Sequence, residues 1–145
     1  MKIPAHYLTN PIHRELVDEL LSLSTAEERL EWLMERPRLH RALETSERTD
    51  ACKVPGCLSG LWLKGEVKNG RCYFAAHSDS DLVNGVVSFI CDLYSDRSPS
   101  EVLEIGAPLT RALGLDGLLS TTRQRAVSSS LAFFHHTASQ YVGAA

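Results

Sequence analysis

The chain has no cysteines paired at C-x2-C spacing, no block of basic residues, no apolar run long enough for a membrane span and no internal repeat. Each absence excludes a class of protein. Four cysteines at irregular spacing (Cys52, Cys57, Cys72 and Cys91) exclude a disulfide framework and a zinc ribbon or finger. In a reducing compartment they are expected as thiols. The 15 Lys and Arg are scattered among 18 Asp and Glu, for a net charge of −3. A nucleic-acid groove needs a concentrated basic stripe, so no nucleic-acid partner is expected. Residues 126–145 lack Asp, Glu, Lys and Arg, but their Ser, Thr, Gln and His residues are too polar for hydrocarbon. No secretory leader is visible in the first residues, and the protein is expected in the cytoplasm without a membrane partner.

What is present is ordinary for one domain over 1–145: 43% apolar and 23% charged residues. A chain of this length buries roughly two-thirds of its unfolded surface and needs no covalent staple. Ile12, Leu16, Val17, Leu20, Leu21 and Leu23 recur at helical spacing. Ser24 followed by Glu27 has capping-box spacing and predicts a second helix carrying Ala26, Leu30, Leu33 and Met34, stopped before Pro37. Residues 38–56 read as a charged loop. Leu61, Leu63, Gly65 and Val67 then alternate with polar residues and Trp62, which predicts a half-buried strand. Asn69-Gly70 is a hairpin turn signal, followed by a second strand from Arg71 to His77.

A long helix is predicted over Ser78–Tyr94. Ser98-Pro99-Ser100-Glu101 opens a short helix to Ile105, Ala107–Leu113 forms another ended by Gly114, and the last helix starts near Ser120. That last helix should bury Val127, Leu131, Phe134, Ala138 and Tyr141. The predicted class is α+β, with a small antiparallel sheet flanked by N-terminal and C-terminal helices.

The most informative cysteine is Cys57. Pro55 and Gly56 place it on a turn, where a partner can reach it. Lys53 and Arg48 are near in sequence and favour the thiolate, the nucleophilic form. Cys72 lies within a strand and Cys91 within an apolar helix, so both are expected to be buried. Cys52 is open: a resolving thiol, a metal co-ligand or neither. A cysteine hydrolase or thiol peroxidase would also need a base, for which His77 is the candidate. A scaffold holding zinc or a cluster would use Cys52, Cys57 and His77. His6, His13 and His40 show no ligand spacing, and His135-His136 point about 100° apart on a helix.

The segment Val54-Pro55-Gly56-Cys57-Leu58-Ser59-Gly60-Leu61-Trp62-Leu63 resembles the signature of the SufE family, V-x-G-C-Q-S-Q-V-W-L. The resemblance continues through Ser78-Asp79, Leu82-Val83-Asn84-Gly85, Leu93-Tyr94-Ser95, Ser98-Pro99-Ser100-Glu101, Leu113-Gly114-Leu115 and Leu119-Ser120-Thr121-Thr122-Arg123, covering about residues 25–135. It implies a fold of the SufE and IscU kind and a sulfur carrier that activates a pyridoxal-phosphate cysteine desulfurase (SufS-like). Cys57 matches the persulfide acceptor. Gly56 and Ser59 flank it, and Asp79 and Arg123 match positions used near the loop and on the desulfurase-facing surface. Read without the resemblance, Asp79 caps the long helix and Arg123 is a solvated first-turn residue.

The resemblance also implies delivery of sulfur to an iron–sulfur scaffold complex (SufBCD-like); the sequence leaves open whether the chain forms a homodimer. Beyond a transient cysteine persulfide it implies no cofactor or metal on this chain. Leu58 and Gly60 replace two family glutamines, and Ala126-Val127 replaces a usual Gly-Leu.

Overall fold

The structure is a computed structural model that describes residues 10–56, 60–105, 113, 114 and 116–142. Helix α1 (Pro11–Ser22) opens at Asn10, whose side chain accepts from the Ile12 amide at 2.9 Å, and Pro11 needs no N–H there. It buries His13, Leu16, Val17 and Leu20. Ile12 and Leu21, expected on the same face, are exposed. Each lies roughly 90° around the helix from the centre of that stripe, outside the arc that one neighbouring helix covers.

Helix α2 (Ala26–Glu35) is capped one residue later than predicted. Thr25 Oγ1 accepts from the Glu28 amide at 3.1 Å, because Thr25 and Glu28 have the same spacing as Ser24 and Glu27. Leu33 is buried, whereas Met34, predicted on the apolar face, is exposed. The loop that follows holds two short 3-10 turns, Thr45–Glu47 and Asp50–Cys52.

Strands β1 (Leu61–Lys68) and β2 (Arg71–Ser78) form one antiparallel hairpin, with Leu61 opposite Ser78 and Lys68 opposite Arg71. Asn69 and Gly70 both take positive φ (52° and 75°), as the predicted turn requires. Helix α3 (Asp81–Tyr94) starts three residues after the predicted Ser78, because β2 continues through Ser78 and Ser80 provides the cap. Its residues Gly85 to Tyr94 are all buried. A Cβ on Gly85 would lie 2.6 Å from the Leu33 carbonyl oxygen, so α2 crosses α3 at backbone contact.

Helix α4 (Pro99–Glu104) is capped by Ser98 as predicted. The predicted helix Ala107–Leu113 lies outside the described residues up to position 112. Leu113 and Gly114 form a turn. Helix α5 (Thr121–Val142) follows a 3-10 turn at Asp116–Leu118. Its Phe134 sits 4.4 Å from Phe74 of β2 and 5.2 Å from Tyr94 of α3, centroid to centroid. Full burial of such a ring stabilises by about 1.5–3 kcal/mol. Tyr141, predicted on this face, occupies the final turn past the buried stretch and is exposed.

Buried polar contacts also fix the helices. Arg36, after α2, pairs with Asp92 of α3, and both side chains are 3% exposed. Asp92 also accepts from the Leu39 and His40 amides at 3.0 and 3.3 Å. His13 Nε2 donates to the Ser95 carbonyl at 3.1 Å. Burial, helped by the charge of Arg97, lowers the His13 pKa to about 4. The resulting fold is α+β, as the sequence predicts.

Candidate functional site

The candidate site lies at the end of the hairpin away from Asn69-Gly70. The chain entering it is pinned: the Val54 amide donates to the Leu61 carbonyl at 2.8 Å, and Lys53 bridges Trp62 in antiparallel fashion. Gly56 (φ +78°) and Gly60 (φ +74°) bracket the segment that carries Cys57. Both adopt the left-handed region that glycine enters without a Cβ clash. Cys57, Leu58 and Ser59 lie outside the described residues, so their expected roles are not placed here.

Gly60 has a second constraint. A Cβ there would approach Trp62 to 2.9 Å and the Asp79 carboxylate to 3.0 Å. Gly60, which stands where the family has a glutamine, thus takes a left-handed φ at a position where a Cβ would require Trp62 or Asp79 to shift. The Gly60 carbonyl accepts from Ser78 Oγ at 2.8 Å and from the Asp79 amide at 3.4 Å.

Asp79 therefore stands beside the loop's exit. Its side chain is 65% exposed and accepts from His77 Nε2 at 3.3 Å. The alternative of a helix-capping Asp79 is corrected by Ser80, whose Oγ accepts from the Val83 amide at 3.3 Å. His77 is more than a solvated strand end, because its ring also lies 5.9 Å from that of Trp62. Lys53 Nζ stands 5.5 Å over the Trp62 ring. Arg48 instead donates to the Leu43 carbonyl at 3.4 Å, within its own loop.

On the entry side, Val54, Pro55 and Gly56 form one wall of a groove of about 520 Å3. The other wall is the first half of α5, where Arg125 and Ala126 line the groove together with the hydroxyl residues Thr122, Ser128 and Ser129. Arg123 is exposed in the first turn, its amide donating to Ser120 Oγ at 3.4 Å, and it is not among the described lining residues. Arg125 is the residue that sequence reasoning missed. Thr122, Arg125, Ala126 and Ser129 follow i, i+3, i+4, i+7, so the face was readable once the helix was predicted.

Cys72 and Cys91 are buried as expected, and burial pushes both thiols up, away from the reactive thiolate. Cys52 is partly exposed at the end of a 3-10 turn. Among the described residues, no group of three or more His, Cys, Asp or Glu side chains is placed to share a metal ion. No described helix is long and apolar enough to cross a membrane.

A two-stranded antiparallel hairpin covered by helices, with two positive-φ glycines on either side of the segment that carries Cys57, defines a small α+β protein. Residues 14–138 match the family described as SufE, Fe-S metabolism associated domain, and the chain belongs to that family. It is 28% identical to an uncharacterized SufE-like protein of Rhizobium etli over 79% of this chain and 81% of that protein. It is also 33% identical to the chloroplastic quinolinate synthase of Arabidopsis thaliana over 77% of this chain, but spans only 16% of that protein's length. A hypothetical protein from Thermus thermophilus, solved in solution, shares the fold with a TM-score of 0.63. The match covers 92% of this chain and 97% of that one, at 20% identity. Family membership places the chain in iron–sulfur metabolism and supports sulfur transfer with a cysteine desulfurase.

Proposed function

We propose that the protein accepts sulfane sulfur from a cysteine desulfurase on Cys57, activates that enzyme and passes the sulfur to an iron–sulfur assembly scaffold. The observation that carries this reading is the glycine-bracketed loop. Its two ends are held by the Val54–Leu61 and Ser78–Gly60 hydrogen bonds, so the cysteine is carried by a segment with fixed anchors.

The step parallels thiol–disulfide exchange. The Cys57 thiolate attacks the outer sulfur of the desulfurase persulfide. A sulfur–sulfur bond forms to Cys57 as the one within the enzyme persulfide breaks. The desulfurase cysteine leaves as a thiolate with the bonding electron pair, and the outer sulfur keeps its proton. No external oxidant or reductant enters. Asp79 and Arg123, both exposed, are the residues proposed to face the enzyme. The pyridoxal phosphate that generates the persulfide belongs to the desulfurase.

Added protein is expected to raise sulfide release by the desulfurase of the same cell at saturating cysteine and reductant. Absence of stimulation with every such desulfurase would reject the reading. A second reading, a cysteine hydrolase, draws on the His77–Asp79 pair as base and orienting carboxylate. It predicts turnover of an acyl substrate that depends on His77 and needs no desulfurase.

A further inference from the structure

We infer that the groove between the loop and α5 is the anion site of the transfer step, with Arg125 pairing with the sulfur anion. The inference rests on the acceptor reading of Cys57.

One wall of the groove ends at Gly56, and Cys57 is the next residue in the chain. Of the described residues lining the groove, Arg125 alone carries a charge. Beside it, Thr122, Ser128 and Ser129 bring hydroxyls that donate to an anion, and Val54, Pro55 and Ala126 keep part of the wall apolar.

Both partners in the exchange pass through sulfur anions. The attacking Cys57 must be a thiolate, and the desulfurase cysteine departs as one. A guanidinium at this position favours the attacking anion before transfer, and its charge also suits the departing one.

The other charged groups flanking the loop are differently engaged. Lys53 lies over the Trp62 ring, and His77 is held by Asp79. The Asp79 carboxylate at the exit opposes an anion, which makes a cation on the entry side the asymmetric element. Arg125 also differs from Arg123, two residues away, which is exposed but absent from the described groove wall.

The test measures alkylation of Cys57 by iodoacetamide against pH in the free protein, read by peptide mass. Arg125→Gln is expected to move the midpoint upward by about half a unit to one unit, and Arg125→Lys to restore most of that shift. Lys68→Gln, at the far end of β1, is expected to leave the midpoint in place, and matching thermal melts verify that each variant is folded. Superimposable profiles for the parent and folded Arg125→Gln would overturn the inference. If the unaltered protein gains no sulfur from a desulfurase, the acceptor reading itself fails, whatever the alkylation profiles show. Should Arg125→Gln not fold, the Arg125→Ser profile provides the same comparison.

Discussion

The two flanks of α3 and the hairpin differ in how they handle charge and space. On the α2 side, helices meet at backbone contact over Gly85, and the Arg36–Asp92 pair is withdrawn from water. Three donors converge on the Asp92 carboxylate. On the loop side, Asp79, Arg123 and Arg125 face solvent, and a groove of about 520 Å3 separates Gly56 from α5. Buried contacts are concentrated on the first side and the candidate site lies on the second. Substitutions should therefore separate into those that unfold the protein and those that silence it.

The largest stability effect is expected at Asp92. Asp92→Ala strands the buried Arg36 guanidinium and leaves two amides without their acceptor, at a cost of about 3–5 kcal/mol. Urea unfolding measures it. A loss below about 1 kcal/mol would show that the packed side does not depend on this pair.

His13 predicts a pH dependence from the same region. Its folded pKa, about 4, lies below the ordinary 6.5, so the folded state binds fewer protons between those values. The contribution is complete above pH 6.5 and is lost as pH falls towards 4, with a slope of about 1.4 kcal/mol per pH unit. His13→Gln keeps a donor for the Ser95 carbonyl but cannot titrate, so its stability should be flatter over that window. An unchanged slope would remove His13 as the source.

Gly60→Ala is the intermediate case. Left-handed φ alone costs about 1–2 kcal/mol, and the new methyl also meets Trp62 and Asp79. Gly70→Ala has a similar φ but open space around its Cβ, so it should cost less in thermal melts. Equal losses would mean that the contacts around Gly60 are incidental. The smallest stability effect belongs to Asp79→Lys: an exposed change should stay within about 0.5 kcal/mol while weakening desulfurase activation. If the variant unfolds, Asp79 is structural.

Much of this division was legible in the residues. The hairpin could be read from Asn69-Gly70 and the alternation around it, and the α4 cap from Ser98-Pro99. Those signals are local: backbone preference decides them before tertiary packing begins. Ile12, Leu21, Met34 and Tyr141 were misplaced as core because periodicity identifies a helix face but not how wide an arc its neighbours cover. Arg36–Asp92 was equally hidden, since 56 residues separate partners that only the α2–α3 crossing brings together. At the candidate site, Cys57 and the Pro55-Gly56 turn stood out in sequence, whereas the left-handed Gly60 and Arg125 did not. The place of Arg125 on the groove wall follows from how α5 lies against Val54–Gly56, a contact between distant segments.

The central claim is that Cys57 carries the transferred sulfur while Cys72 and Cys91 are packing. Intact mass, measured without reductant after incubation with desulfurase and cysteine, tests it most directly. The unaltered protein, Cys72→Ser and Cys91→Ser should each gain the mass of one sulfur atom wherever the variant folds, and Cys57→Ser should gain none. Parallel loss in Cys52→Ser would add a relay role for that thiol. A Cys57→Ser protein that still gains the sulfur and still stimulates the desulfurase would contradict the account.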